Sequence, residues 1–268
     1  MNRKKITAPT IMGMKKSRRK IVVLTAADFI TARLLDEAGV EIILVGDSLG
    51  TTLLGYESTV PVTMREMLHH VRAVTRAKPS ALVVADMPFG SYHQSVAQAV
   101  RNAVRFVREA GADAVKLEGG VNQAGKIRAI VETGIPVMAH LGLLPQSVLR
   151  EGGYHVQGQT PRQVRTLERD LRAVEKAGAF ACVLEYVRVG VAARLTRRAS
   201  IPTIGIGAGA GCDGQVLVTS DLLGLQSWLT PRAARRYAEA GTIFGEAFRK
   251  FADDVRGGRF PSEKESFP

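Results

Sequence analysis

The stretch Arg105-Phe106-Val107-Arg108-Glu109-Ala110-Gly111-Ala112-Asp113-Ala114-Val115-Lys116-Leu117-Glu118-Gly119-Gly120 decides the fold. Its first half closes a helical pattern over Ser95–Ala110 and stops at Gly111, where a helix C-terminus needs a residue tolerant of positive φ. Its second half holds the short aliphatic run Ala114–Leu117. Such a run reads as a strand buried on both faces. The run ends in Lys116-Leu117-Glu118, so two ionisable groups sit two residues apart and point to the same side of one strand.

Working outward, the same unit recurs. Further short apolar runs lie at Ile21–Thr25, Ile42–Gly46, Ala81–Ala85, Pro136–Ala139, Ala181–Leu184, Pro202–Ile206 and Gln215–Val218. Between them lie helical patterns with start and stop signals. Asp28 caps a segment ending at Ala38-Gly39. Thr63 with Glu66 makes a capping-box spacing for Met64–Thr75. Asn122–Thr133 stops at Gly134, Pro161–Ala177 stops at Gly178, and Pro231–Arg256 forms the final helical region. Eight strand–helix units mean a parallel sheet. The chain has 268 residues, close to the roughly 250 of one (β/α)8 barrel, so closure into a TIM barrel is predicted over an open α/β sheet.

Composition sets the outer limits. Aliphatic residues dominate and aromatics make up 6%. The two cysteines, Cys182 and Cys212, give neither a disulfide framework nor metal-ligand spacing, which suits a reducing cytoplasm. No run approaches a membrane span. The formal charge of +12 is concentrated in residues 1–20, where Arg3, Lys4, Lys5, Lys15, Lys16, Arg18, Arg19 and Lys20 crowd together. This segment is read as a mobile basic arm ahead of a single catalytic domain over residues 21–268. The remaining basic residues are scattered without aromatic interleaving, so neither nucleic acid nor membrane is expected as a partner.

Chemistry shows at the strand ends. After the second run comes Gly46-Asp47-Ser48, after the third Asp86, within and after the fourth Lys116 and Glu118, after the fifth His140, after the sixth Glu185. In a barrel these ends share one mouth, where active sites are built. A lone Asp there would more simply cap the next helix. Glu118 and Glu185 fit that reading less well, because Glu is not a leading cap. Converging carboxylates repel unless a cation offsets them, and hard oxygen donors suit magnesium. His140 could equally be a structural hydrogen bonder. The tandem His69-His70 lies on a helix, where neighbours face apart and cannot share a ligand. The run Gly205–Gly209 follows strand seven, where barrels often bind phosphate and where a flat ligand could also approach closely.

With these residues in view, the chain resembles the ketopantoate hydroxymethyltransferase family. The resemblance rests on Leu44–Gly50, Gly55–Thr63, Val84–Tyr92, Gly111–Gly120, His140–Leu143 with Pro145-Gln146-Ser147, Gly152–Tyr154 with Val156–Gly158, and Ile204–Gly209 with Cys212–Val218 and Asp221–Leu225. It runs in order from about Thr25 to Pro261. It implies a barrel of the phosphoenolpyruvate mutase/isocitrate lyase type in a cytoplasmic homo-oligomer. The implied reaction moves the one-carbon unit of 5,10-methylenetetrahydrofolate onto 3-methyl-2-oxobutanoate, giving 2-dehydropantoate for pantothenate and coenzyme A synthesis. By the same resemblance Asp47, Asp86 and Glu118 would hold magnesium and Asp47, Ser48, Asp86 and Lys116 the oxo acid. Glu185 would accept the proton, and Gly205–Gly209 would face the folate rings.

The residues support that chemistry. Carbon 3 of the oxo acid lies beside a ketone, so losing its proton gives an enolate that a metal can stabilise. The sequence departs from the family pattern at Tyr186-Val187-Arg188, at Ala26-Ala27 before Asp28, and at Leu144. None of these removes an acid, base or metal residue. The competing enzyme reading is a metal-dependent aldolase or lyase acting on another 2-oxo acid, although no cysteine stands in a Lys-Lys-Cys-Gly-like loop. A basic RNA-binding barrel is the non-enzyme alternative.

Overall fold

A computed structural model describes residues 4–226 and 233–267. Eight parallel strands close into a barrel in sequence order: β1 (Ile21–Thr25), β2 (Ile42–Val45), β3 (Leu82–Asp86), β4 (Ala114–Glu118), β5 (Val137–Gly142), β6 (Ala181–Glu185), β7 (Thr203–Ile206) and β8 (Gly214–Leu217), which pairs back with β1. Each coincides with a predicted run to within a few residues. After α1 (Ala8–Lys16), the helices are α2 (Phe29–Glu37), the one-turn α3 (Leu49–Thr52), α4 (Met64–Thr75), α5 (Val96–Ala110), α6 (Ala124–Glu132), the short α7 (Val148–Glu151), α8 (Pro161–Lys176) and α9 (Val189–Arg198). Thr63 and Glu66 form the predicted capping box, and Asp28, Ser95 and Thr160 cap their helices with their side chains. Gly111 takes φ 73°, as its place past α5 requires.

Strand alternation divides the core into two layers. Ile43, Val45, Val83, Ala85 and Val115 face the helices, while Ile42, Leu44, Leu82, Val84, Ala114, Met138, Ala181 and Val183 fill the barrel.

The mobile basic arm needs correction. Thr7 caps α1, and Ile6, Ala8, Ile11 and Met14 are buried in the barrel's inner layer. Lys15 Nζ lies 2.7 Å from Asp213 and Lys5 Nζ 2.6 Å from Asp113. Those aspartates immediately precede β8 and β4, so α1 plugs the N-terminal end of the barrel, opposite the mouth. The charges dominate the composition, but the apolar face at 8, 11 and 14 determines the placement. Ile11→Ala should therefore cost about 2–5 kcal/mol, the usual range for emptying a fully buried aliphatic site. Urea unfolding reads this directly, and a loss below about 0.5 kcal/mol, typical of a surface position, would show that α1 does not hold the barrel shut.

A second compact unit begins at Val218. It contains α10 (Thr219–Leu222) and α11 (Ala240–Arg256). The final helix thus starts well after the expected Pro231, which lies outside the described residues.

Candidate active site

The two-residue step along a strand carries the inner layer up to the mouth. Leu82 and Val84 point inward, so Asp86 does too. Ala114 is followed on the same side by Lys116 and Glu118, Met138 by His140, and Val183 by Glu185. Aliphatic side chains below thus give way to ionisable ones above. Asp47, Asp86, Lys116, Glu118 and His140 are all buried, and Glu185 keeps 16% of its side chain exposed.

The contacts join these residues into one group. Lys116 Nζ lies 2.8 Å from Asp86 Oδ1 and 3.4 Å from His140 Nδ1. The Asp47 amide donates to Asp86 Oδ2 at 3.3 Å. His140 Nδ1 is 3.7 Å from Glu118 Oε1, and its Nε2 is 3.2 Å from Glu185 Oε2. Ser48 is half-buried, directly after Asp47, and opens α3.

Burial and crowding set the protonation states. Desolvation, reinforced by the Asp86 charge, pushes the Asp47 carboxyl up to about 8. Burial raises Glu118 well above the usual carboxylate range, against the pull of Lys116. Burial works against the Lys116 ammonium, yet Asp86, Glu118 and Asp47 hold its pKa above that of an ordinary lysine. Burial and the Lys116 charge lower His140, which is therefore neutral. A neutral imidazole with Nδ1 facing an ammonium accepts there and carries its proton on Nε2, toward Glu185.

Two participants escaped sequence reading. Gln146 lies in a single 3-10 turn after β5, with its side-chain amide donating to Asp47 Oδ2 at 2.8 Å and to the Met87 carbonyl at 2.9 Å. Its backbone N–H donates to Glu118 Oε2 at 3.1 Å. Tyr92 donates to Gln146 Oε1 at 2.6 Å and accepts the Glu118 N–H at 3.2 Å. Gln146 thus orients two carboxylates at once, and Tyr92 fixes which way its amide points. Periodicity cannot find a residue in such a turn. The only available signal was the Pro145-Gln146-Ser147 motif.

The glycine run after β7 is packed at Gly205 and Gly209, while Gly207 is exposed. A Cβ on Gly205 would lie 3.0 Å from Cys212 Sγ, and one on Gly209 would lie 2.7 Å from a Val189 methyl. Gly205 and Gly209 serve close internal packing. The departure at Tyr186 coincides with left-handed backbone, φ 48°. It is held by the Tyr186 N–H to the Ile206 carbonyl and by the Gln157 N–H to the Tyr186 carbonyl, each 2.8 Å.

Comparison with known proteins follows the same outline. The profile of the family described as ketopantoate hydroxymethyltransferase matches residues 5–263. The chain belongs to the ketopantoate hydroxymethyltransferase family. Among its relatives, a protein of Trichlorobacter lovleyi named 3-methyl-2-oxobutanoate hydroxymethyltransferase is 54% identical over 99% of both chains. One of Syntrophus aciditrophicus with the same name is 53% identical over 98% of this chain and 97% of that one. A solved structure of 2,3-dimethylmalate lyase, described as a phosphoenolpyruvate mutase/isocitrate lyase superfamily member, superposes with TM-score 0.61 at 19% identity, covering 97% of this chain and 91% of that one. That likeness concerns the fold alone.

The donor set also bears on a metal. Glu118 Oε1 is buried and accepts no hydrogen bond in the described structure, whereas Asp86 Oδ1 is ion-paired with Lys116 at 2.8 Å. No three His, Cys, Asp or Glu side chains among the described residues form a ready-made ligand shell. The fit is therefore to a hard ion held by one or two carboxylates that keeps places for water and substrate, as magnesium does.

Proposed function

We propose that the chain transfers a hydroxymethyl group from 5,10-methylenetetrahydrofolate to 3-methyl-2-oxobutanoate, forming 2-dehydropantoate. The observation that carries this is the buried Asp47–Asp86–Lys116–Glu118 cluster, joined through neutral His140 to the half-open Glu185. Asp47 and Asp86 would hold magnesium, with Glu118 behind them. The ion supplies Lewis-acid polarisation of the ketone and carboxylate oxygens.

The chain's own residues do the rest. Lys116 and Ser48 bind and orient the oxo acid. Glu185 takes the carbon-3 proton, and the electron pair left behind spreads onto the ketone oxygen as an enolate. His140 flanks the Glu185 carboxylate, with Nε2 3.2 Å from it. Water adds to the folate methylene and its carbon–nitrogen bonds break, releasing tetrahydrofolate and formaldehyde. The enolate carbon then bonds to the formaldehyde carbon, whose oxygen takes up a proton as the new hydroxyl. The two free cysteines suit a reducing cytoplasm, and the family resemblance favours a homo-oligomer. Among the described residues no helix is long and apolar enough to cross a membrane.

The test is product analysis by NMR. Oxo acid, methylene donor and magnesium together should give 2-dehydropantoate, and chelation should stop it. Carbon-3 exchange with deuterated water should persist without the donor. Cleavage of the oxo acid, or a product formed equally without methylenetetrahydrofolate, would replace this reading with a lyase or aldolase.

A further inference from the structure

A cleft of about 520 Å³ opens on the β4–β5 side of the mouth. Its inner wall includes Gly119, directly after Glu118, and Gly142, which registers against Glu185. Both sit in left-handed backbone, φ 121° and 97°. At Gly142 a Cβ would lie 2.2 Å from the Glu185 carbonyl oxygen. At this wall β5 and β6 therefore approach closely only without a side chain at 142. Leu141, Leu143, Leu144 and Leu167 continue outward as an apolar stretch. Leu144 is thus where one departure from the family pattern meets a cavity.

The far end is basic. Arg150, Arg162 and Arg169 line it, with Glu151 and Asp170 among them. Arg150 is engaged with Glu151 at 2.8 Å. Asp170 Oδ1 already accepts the Val121 N–H at 3.2 Å and lies 3.7 Å from Arg169. Arg162, in the first turn of α8, has no carboxylate within ion-pair distance among the described residues. One guanidinium is therefore uncommitted and a second only loosely held, and planar bidentate donors of this kind suit carboxylates.

The cleft thus suits a long ligand that reaches the mouth at one end, lies along the leucines in the middle and is anionic at the other. We infer that it holds the p-aminobenzoyl-glutamate part of the one-carbon donor, with Arg162 and Arg169 meeting the glutamate carboxylates. This rests on the transfer reaction proposed above, and it places the donor's tail on the β4–β5 side of the mouth, apart from the glycine run after β7. A chain of further glutamates would extend past Arg169 and add carboxylates for Arg150.

Three donors separate the possibilities: methylenetetrahydrofolate with one glutamate, the same with three, and a methylene tetrahydropterin lacking the p-aminobenzoyl-glutamate part. Arg162→Gln with Arg169→Gln should raise KM for the monoglutamate about tenfold, in line with losing charge-assisted contacts at a partly exposed site. The triglutamate's advantage over the monoglutamate should shrink, and kinetics with the truncated donor should not change. Calorimetry with tetrahydrofolate alone should show the same weakening, and single Arg162→Gln serves if the double variant loses its thermal midpoint. Donor affinity within twofold of wild type, or an equal loss with the truncated donor, would overturn the cleft. Wild-type protein that binds tetrahydrofolate in this arginine-dependent way without making 2-dehydropantoate would sink the reaction and leave the cleft standing. Wild-type protein that does not bind it would sink both.

Discussion

Glu185→Gln should still bind 3-methyl-2-oxobutanoate in the presence of magnesium, while exchange of its carbon-3 hydrogen falls by about 10²–10⁴-fold, the usual worth of a positioned base. The amide keeps the size of the carboxyl and its 3.2 Å approach to His140 Nε2. What it lacks is the capacity to take a proton from carbon. Exchange measured without folate isolates that step from carbon–carbon bond formation. His140 is a poor substitute base, because its Nδ1 lone pair faces Lys116 Nζ at 3.4 Å and its other nitrogen carries a proton. Replacing His140 with Ala should thus slow exchange less than Glu185→Gln does. NMR showing wild-type exchange in Glu185→Gln would make Glu185 a structural residue, and His140 would be the next group to test.

The legible part of this protein is what strands and their ends dictate. Runs such as Ile42–Val45 and Leu82–Ala85 are aliphatic throughout because helices cover one face and the barrel interior the other. The strand-end acids stand out because an ionisable residue directly after such a run has no packing role to explain it. The two-residue step from Val84 to Asp86, or from Val183 to Glu185, even tells which side they face. Legibility fails where a residue acts through a turn or against the average of its neighbourhood. Gln146 orients Asp47 and Glu118 from a turn with no periodicity. Ile11 and Met14 close the barrel from within a segment whose composition is dominated by lysine and arginine. Gly205 and Gly209 show the converse. In a glycine run that looks like a ligand surface, these two pack against Cys212 and Val189, and Gly207 alone of the three is exposed.

Asp47→Asn should keep the metal-free fold near pH 7 and lose magnesium-dependent oxo-acid binding by more than about 10²-fold, beyond the 10–100-fold cost of disturbing a residue that only supports a ligand. With its carboxyl pushed up to about 8 by burial and Asp86, Asp47 is mostly protonated at neutral pH when no cation is present. Asparagine then imitates the state it already occupies, and Gln146 keeps a carbonyl oxygen to donate to. In the unfolded chain the same group titrates at an ordinary 3.8. The native state therefore holds the proton more tightly. This contribution to stability is full below the unfolded value and is lost as pH rises through about 8. Metal-free wild type should accordingly lose thermal stability between pH 6 and 9, with Asp47→Asn flatter over that range. Magnesium must displace the proton, so its affinity for wild type should climb with pH and level off above about 8, whereas the variant should show no such climb. Calorimetry at pH 6, 7, 8 and 9 reads both trends. Wild-type magnesium-dependent binding in Asp47→Asn would remove Asp47 from the ligand set and leave Asp86 and Glu118 to hold the ion.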